Sequence, residues 1–274
     1  METRFQPPKT DTRRKTFLHG DGGVKLTTTI LQGDMREVLA TLPDASFDCI
    51  VTDPPYGETS LAWDRWPEGW PGLARRVLKP TGSIWVFGSF RMFMERRDEF
   101  DDWKISHEIV WEKHNGTGLF NDRFRRVHEL AVHFYPADAK WSDIFKEPQF
   151  TKDARARVVR KKGRPAQWIG ATGETVYRSE DGGPRLMRSV MQVRSIHGRA
   201  VHPTQKPVEI VAPLLRYACP PGGAVLDPFG GSGTTALAAR EHGVSATLIE
   251  LNPEYAEIAR KRIAGDAPLF AEVV

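Results

Sequence analysis

Between residues 224 and 250 the chain spells out a strand, a glycine-rich loop, a helix and a second strand without interruption, and few folds accept that order. The apolar run 224–226 leads into Asp227-Pro228-Phe229-Gly230-Gly231-Ser232-Gly233-Thr234-Thr235. A helical pattern over 235–242 stops at Gly243, and 246–249 form the next strand with Glu250 at its tip. A compact βαβ unit with glycines in its first turn predicts a nucleotide-binding half of a mostly parallel sheet. Glycines let the loop backbone pass close under a ligand, and a carboxylate ending the second strand can accept both protons of a ribose diol. Gly231, Gly233 and Ala236 satisfy the G-x-G-x-x-A pattern, with Glu250 about twenty residues on, so a nicotinamide cofactor is one reading. Asp227 favours another. A carboxylate ahead of the glycines repels a pyrophosphate and suits a cationic amino group, which S-adenosylmethionine carries beside its ribose and adenine.

Upstream, the same alternation of elements recurs. A strand over 28–31, a helix over 35–42 and a strand over 47–52 lead into Asp53-Pro54-Pro55-Tyr56. A helix over 71–78, a stop at Lys79-Pro80-Thr81-Gly82 and a strand over 83–87 follow. Strand-like runs at 105–112 and 129–135 extend the same sheet, and 208–218 read as a helix. The Asp53 tetrapeptide therefore falls at a strand end, where open α/β sheets hold ligands. Its two prolines fix φ and donate no N–H, giving a rigid turn that presents a carboxylate and an aromatic ring together. A nucleobase flipped out of a duplex is read by hydrogen bonds to its edge and by stacking on an aromatic face. A Pro-rich surface turn with an incidental Asp has the same four residues, and the tetrapeptide alone does not separate the two readings.

Charge is unevenly distributed. The chain carries a net +4, yet residues 146–200 hold 13 Lys+Arg against 5 Asp+Glu, or +8, leaving 4 − 8 = −4 for the remainder. Arg155, Arg157, Arg160, Lys161, Lys162 and Arg164 lie in this segment with Trp168 and Tyr177 nearby, the pattern of a phosphate-seeking surface inserted into an acidic host. Residues 1–27 mix Pro, Thr, Gly and charge without periodicity and read as a flexible basic arm. The first thirty residues do not form a signal peptide and no stretch approaches about 18 apolar residues, so a soluble cytoplasmic protein is expected. Two cysteines, Cys49 and Cys219, support neither a disulfide framework nor a zinc site, and the eight histidines show no ligand spacing, so no metal is expected.

Three motifs in a fixed order carry a family resemblance. Thr52-Asp53-Pro54-Pro55-Tyr56-Gly57, then His202-Pro203-Thr204-Gln205-Lys206-Pro207, then Leu226-Asp227-Pro228-Phe229-x-Gly231-Ser232-Gly233-Thr234 resemble the amino-methyltransferases of DNA. These enzymes modify the exocyclic nitrogen of adenine or cytosine, and the chain looks like their β arrangement, with the catalytic motif ahead of the cofactor motif. The resemblance covers about 31–263 and implies a Rossmann-like, S-adenosylmethionine-dependent α/β methyltransferase fold: a mostly parallel twisted sheet with helices on both faces. The methyltransferase domain would span 28–274, with 146–200 as an inserted target-recognition region. Asp227, Phe229, Gly231, Ser232, Gly233 and Thr234 match the loop around the methionine part of the cofactor, and Glu250 matches the ribose ligand. Lys206 is a candidate partner for the cofactor carboxylate. Asp34 matches a position near the adenine, although Asp34 followed by Glu37 is also a helix-capping box in form. Asp53 lies at the meeting of the catalytic and cofactor sets.

The implied chemistry is direct methylation of an amine whose lone pair is delocalised into the ring. Asp53 and the Pro54 carbonyl would accept the N–H hydrogen bonds that localise that pair. Pro55 would stiffen the turn, and Tyr56 would stack on the flipped base. No Pro-Cys nucleophile is present, in keeping with attack by nitrogen rather than by a ring carbon. Asp rather than Ser at position 53 favours adenine N6, with cytosine N4 as the alternative. An RNA or protein amino-methyltransferase, a nicotinamide oxidoreductase and a catalytically silent DNA-binding module remain as readings from other classes. The expected partner is double-stranded DNA within a restriction-modification setting, with no membrane. Similar enzymes often dimerise, which makes a homodimer an expected state.

Overall fold

The computed structural model describes residues 26–117, 121–161, 163, 173–196, 198 and 200–265. The arm expected over 1–27 lies outside the described residues except for Leu26 and Thr27. In chain order the main unit contains β1 (Thr28–Gln32), α1 (Met35–Thr41), β2 (Phe47–Thr52), α2 (Trp70–Val77), β3 (Leu78–Gly88), α3 (Phe90–Glu95), β4 (Trp103–Thr117) and β5 (Arg126–Pro136). The inserted segment carries β6 (Phe150–Thr151), β7 (Arg157–Lys161), β8 (Thr175–Ser179) and β9 (Arg185–Leu186). The main unit resumes with β10 (Val190–Gln192), α4 (Val208–Ala218), β11 (Ala224–Asp227), α5 (Thr234–His242), β12 (Ser245–Glu250) and α6 (Pro253–Gly265).

Eight strands form one sheet in the order β1-β12-β11-β2-β3-β5-β4-β10. Neighbours run parallel except where β5 lies antiparallel between β3 and β4. Alternation along β3 divides its side chains between two covers. Ile84 and Val86 join the core with Leu39 of α1, Trp70 and Ala74 of α2 and Met92 of α3. Trp85 faces the other way and meets Tyr217 of α4, ring centroids 5.9 Å apart. Each strand pair of this kind removes apolar surface on both faces, worth about 25 cal/mol per Å² buried, which is why the central strands read as continuous apolar runs.

The stretch Lys79-Pro80-Thr81-Gly82, read as a stop, is instead absorbed into the start of β3. Phe47 pairs with Leu78 and Cys49 with Ser83, so the residues between bulge out of the ladder. Gly82 permits the bulge: a Cβ there would sit 2.6 Å from the Asp48 carbonyl oxygen.

The decisive neighbours are β2 and β11. They pair in parallel, Cys49 with Val225 and Ile50 with Leu226, although their loops are far apart in sequence. From β11 the sheet runs through β12 to β1 on one side, and from β2 through β3 on the other, so the crevice beyond these two strands is the topological switch point where doubly wound sheets bind ligands.

The segment Pro148–Met187 is a unit of its own. It holds two antiparallel ribbons, β6 with β9 and β7 with β8, the latter in register from Arg157 opposite Ser179 to Lys161 opposite Thr175. Asp153 pairs with Arg185 at 3.2 Å, and the Arg157 guanidinium lies 5.8 Å from the Tyr177 ring centre.

Candidate functional site

A cavity of about 390 Å³ opens at the C-terminal ends of β2 and β11. Asp53, Pro55, Asp34, Lys206, Asp227, Phe229, Gly231, Ser232, Thr234 and Glu250 all line it; Pro54, Tyr56 and Gly233 do not. Gly233 serves the loop differently, taking φ +82° as the residue before α5, where its missing Cβ also leaves room for Ile263 of α6.

Asp227 ends β11 almost fully buried, 5% exposed, and three neutral donors reach it. Thr52 Oγ1 donates to Oδ1 at 2.8 Å, Phe229 N to the same oxygen at 3.1 Å, and Thr235 Oγ1 to Oδ2 at 2.6 Å. Burial outweighs these bonds and pushes its carboxyl up to about 6. A buried carboxylate served by neutral donors fits an incoming cation. Glu250, at the tip of β12, accepts Gly231 N through Oε2 and Asn252 N through Oε1, each at 2.8 Å. Burial raises its carboxyl as well, against the pull of those backbone donors. Each oxygen retains lone-pair capacity for a diol.

Asp34 caps α1, accepting from Arg36 N at 2.9 Å, and pairs with the Arg36 guanidinium at 2.6 Å while lining the cavity. The Arg36 hydrogen bonds hold its carboxyl below the usual range.

The catalytic-loop candidate is held by an ion as well as by a neutral donor. Tyr56 OH donates to Asp53 Oδ1 at 2.5 Å, and Lys206 Nζ binds Asp53 Oδ2. Lys206 is buried at 8% exposure rather than solvated, and its ammonium also lies 3.2 Å from Glu129 Oε2. Lys113 Nζ binds Glu129 Oε1. Burial pushes the Asp53 carboxyl up despite Lys206. It pushes Glu129 the same way, but Lys206 and Lys113 overcome it and hold that carboxyl down at about 2. Burial disfavours the Lys206 ammonium, and its two carboxylate partners reverse that sign. The Tyr56 ring packs against the core rather than into the cavity.

The loop after the tetrapeptide is organised by Asp64, buried at 6%, which accepts Gly57 N at 2.9 Å and Thr59 N at 2.7 Å. It places Trp63 at the cavity wall, 5.6 Å from the His202 ring, which in turn meets Tyr255 at 4.2 Å. Burial and then Lys206 push the His202 imidazole down to about 4, so it is neutral near pH 7. Glu58 accepts Ser89 Oγ and pairs with Arg126 at 3.1 Å.

Of the basic candidates, Arg155, Arg157 and Arg160 are exposed in the inserted unit and Lys161 ends β7. Lys162 and Arg164 lie outside the described residues. Among the described residues no group of three or more His, Cys, Asp or Glu is placed to hold a metal, and no helix is long and apolar enough to cross a membrane.

Sequence reasoning passed over Thr52, Thr235, Trp63, Lys113 and Glu129. Thr235 was legible as a hydroxyl at the start of the helix that follows the Asp227 loop. Glu129 had a weaker signal, a charge in phase with Ala131 and His133 on one face of a strand. Trp63 had none.

Residues 47–261 match the family model described as DNA methylase, N6_N4_Mtase. The Type II methyltransferase M.HinfI of Haemophilus influenzae is 29% identical over 268 aligned positions, taking in 86% of this chain and 68% of that one. Among solved structures, the M1.HpyAVI–SAM complex superposes with a TM-score of 0.56 at 24% identity, covering 86% of this chain and 100% of its own. The cytosine-N4-specific PvuII DNA methyltransferase gives 0.58 at 16% identity over 86% of each chain. The structural likenesses show a shared fold.

Proposed function

Because this chain belongs to the N6_N4_Mtase family of DNA methylases, we propose that it is the adenine-N6 member of that chemistry, using S-adenosylmethionine on a flipped base in double-stranded DNA. The observation that carries the reading is one cavity at the β2/β11 switch point, lined on one side by Asp53 and on the other by Asp227 and Glu250. The donor set fits the cofactor. Asp227 offers a buried carboxylate with neutral partners to the α-amino group, and Glu250 offers two oxygens to the ribose diol.

Bound there, S-adenosylmethionine supplies an electrophilic methyl group on a cationic sulfur. The chain's own residues do the rest. Asp53, which lines the cavity, accepts an N–H of the target amine, which localises the nitrogen lone pair for attack. Tyr56 OH and Lys206 Nζ fix the Asp53 carboxylate while leaving a lone pair on each oxygen for the amine. The proton shed by the methylated nitrogen has Asp53 as the acceptor placed for it. Holding amine and methyl in line contributes several kcal/mol of the roughly 7–11 kcal/mol that orientation can supply.

Asp at position 53 favours adenine over cytosine, and the exposed Arg155, Arg157 and Arg160 suit phosphate contacts by the inserted unit. Single-molecule sequencing of DNA from cells expressing the chain tests base and site together. N6-methyladenine at a fixed sequence is expected; N4-methylcytosine would overturn the base assignment. Asp53→Ala is expected to abolish transfer while retaining S-adenosylmethionine binding, and transfer at the wild-type rate would overturn the mechanism.

A further inference from the structure

Lys206 is not a free cation beside the cavity but the second member of a buried row of alternating charge: Asp53, Lys206, Glu129, Lys113. Their side chains are 20%, 9%, 15% and 11% exposed. The row draws on four elements of the fold. Asp53 follows β2, Lys206 precedes α4, Glu129 opens the apolar part of β5, and Lys113 lies on β4. Aromatic rings wall it in. Lys206 Nζ lies 5.3 Å from the centre of Phe87 and 6.0 Å from Trp111, and Lys113 Nζ lies 4.7 Å from Trp111. Register explains the placement. Phe87 pairs with Ala131 and Trp111 with Glu129, so Glu129 stands on the same face of the sheet as Ala131, one step beyond the end of β3. Leu130 and Val132, on the opposite face, join the hydrophobic core.

A carboxylate in such a position costs desolvation and is kept only where it is paired. Glu129 does not line the cavity, so it acts at a distance, through the Lys206 ammonium it shares with Asp53 and through its own charge. We propose that Glu129 is a positioning residue for methyl transfer: by facing the Lys206 ammonium that binds Asp53, it offsets part of that positive charge and keeps the Asp53 carboxylate a strong acceptor for the target amine. Without Glu129, the Lys206 charge would fall on Asp53 alone and weaken it as an acceptor. The inference rests on the reading of Asp53 as the amine's acceptor. The groups facing Asp53 are Lys206 ahead of α4, Glu129 on β5, Tyr56 of its own loop and Asp227 at the end of β11. Lys113, His202 and Arg126 act one shell out, on Glu129, Lys206 and Tyr56 respectively. Among these, Lys206 draws the Asp53 carboxyl down and Glu129 pushes it up.

The test compares Glu129→Gln with wild type for tritiated methyl transfer to duplex DNA between pH 5 and 8.5. The turnover number should fall about 10- to 100-fold, as for a displaced catalytic group. KM for DNA and Kd for S-adenosylmethionine should stay within about twofold, since neither contacts Glu129 in this reading. The acid limb of the rate profile should move to lower pH, because loss of the Glu129 charge removes an upward push on Asp53. Wild-type turnover with an unmoved acid limb would overturn the proposal, and so would an equal loss of cofactor binding. Glu129→Asp keeps the buried charge and withdraws it by one methylene. It should fold, lose turnover severalfold and shift the limb in the same direction, and it carries the test if the Gln variant does not fold. Carbon-13 titration of the Asp53 carboxyl, assigned with Asp53→Asn, reads the same shift without turnover. It therefore separates failure of this inference from failure of the methyltransfer reading, which would show as an inactive wild-type protein.

Discussion

The two carboxylate centres of this cavity are built in opposite ways. Asp227 and Glu250 draw donors mostly from their own βαβ unit: Phe229 N, Thr235 Oγ1, Gly231 N and Asn252 N. All of these donors are neutral. Asp53 is answered already, by an ammonium 153 residues away that is itself answered by Glu129. One centre is wired locally and by neutral donors. The other is wired across the fold and holds its charge in a set direction. Thr52 joins them, ending β2 and donating to Asp227 across the β2/β11 pair. A carboxylate served by its own loop depends on residues a few positions away, whereas Asp53 depends on support from several elements.

The largest expected effect that bears on this contrast is at Asp227. Asp227→Asn should weaken S-adenosylmethionine binding about 100-fold, since hydrogen bonds to charged groups are worth about 1.5–3 kcal/mol. Retention on DNA should be unaffected. Calorimetry of cofactor binding beside DNA retention reads both, and a joint loss would break the division into two centres. Acidity probes the same carboxylate without substitution. With its folded value near 6 against 3.8 for an unperturbed group, Asp227 adds stability to the ligand-free protein at low pH. That stability is lost as pH rises through about 6, and the two-unit shift amounts to about 3 kcal/mol. Cofactor binding should run the other way, weakening about tenfold between pH 7 and pH 5 as the carboxylate is protonated. The stabilising effect of S-adenosylmethionine on the melting temperature should therefore be greater at pH 7.5 than at pH 5; the reverse order would place the cation elsewhere.

Arg157→Gln combined with Arg160→Gln tests whether a third region adds its own term. The salt slope of DNA binding should flatten by about 2, with cofactor affinity unchanged. An unchanged slope would return β7 to the status of a solvated ribbon. The smallest effect is expected at Asp34. Removing this cap as Asp34→Ala should cost about 1 kcal/mol of stability, read as a fall in melting temperature. A drop in cofactor affinity larger than that would sharpen the local wiring by adding Asp34 to the ligand set.

Much of the fold was legible because its strands are short apolar runs ended by turn chemistry. The βαβ unit at 224–250 falls within a residue of its expected bounds, because Gly243 takes the left-handed conformation that stops α5 and Gly233 the one that starts it. The runs 105–112 and 129–135 join the sheet as expected, but extend to 103–117 and 126–136, because polar residues can pair along a hairpin that leaves the core. The misread element was 79–82, where Pro and Gly usually end a strand but here allow a bulge inside one. Periodicity does not report register.

By itself the sequence determined the order of elements, the Asp53 and glycine-rich loops and the acidic ends of the strands that carry them, because each depends on residues a few positions apart. Tertiary structure alone decided that β2 and β11 are neighbours, that their loops share one cavity, and that Lys206 belongs to Asp53 and Glu129. Those facts rest on strand order and on which face of the sheet each side chain occupies. The energy of a buried charge depends on what lies within a few ångströms in space, and no spacing along the chain encodes that.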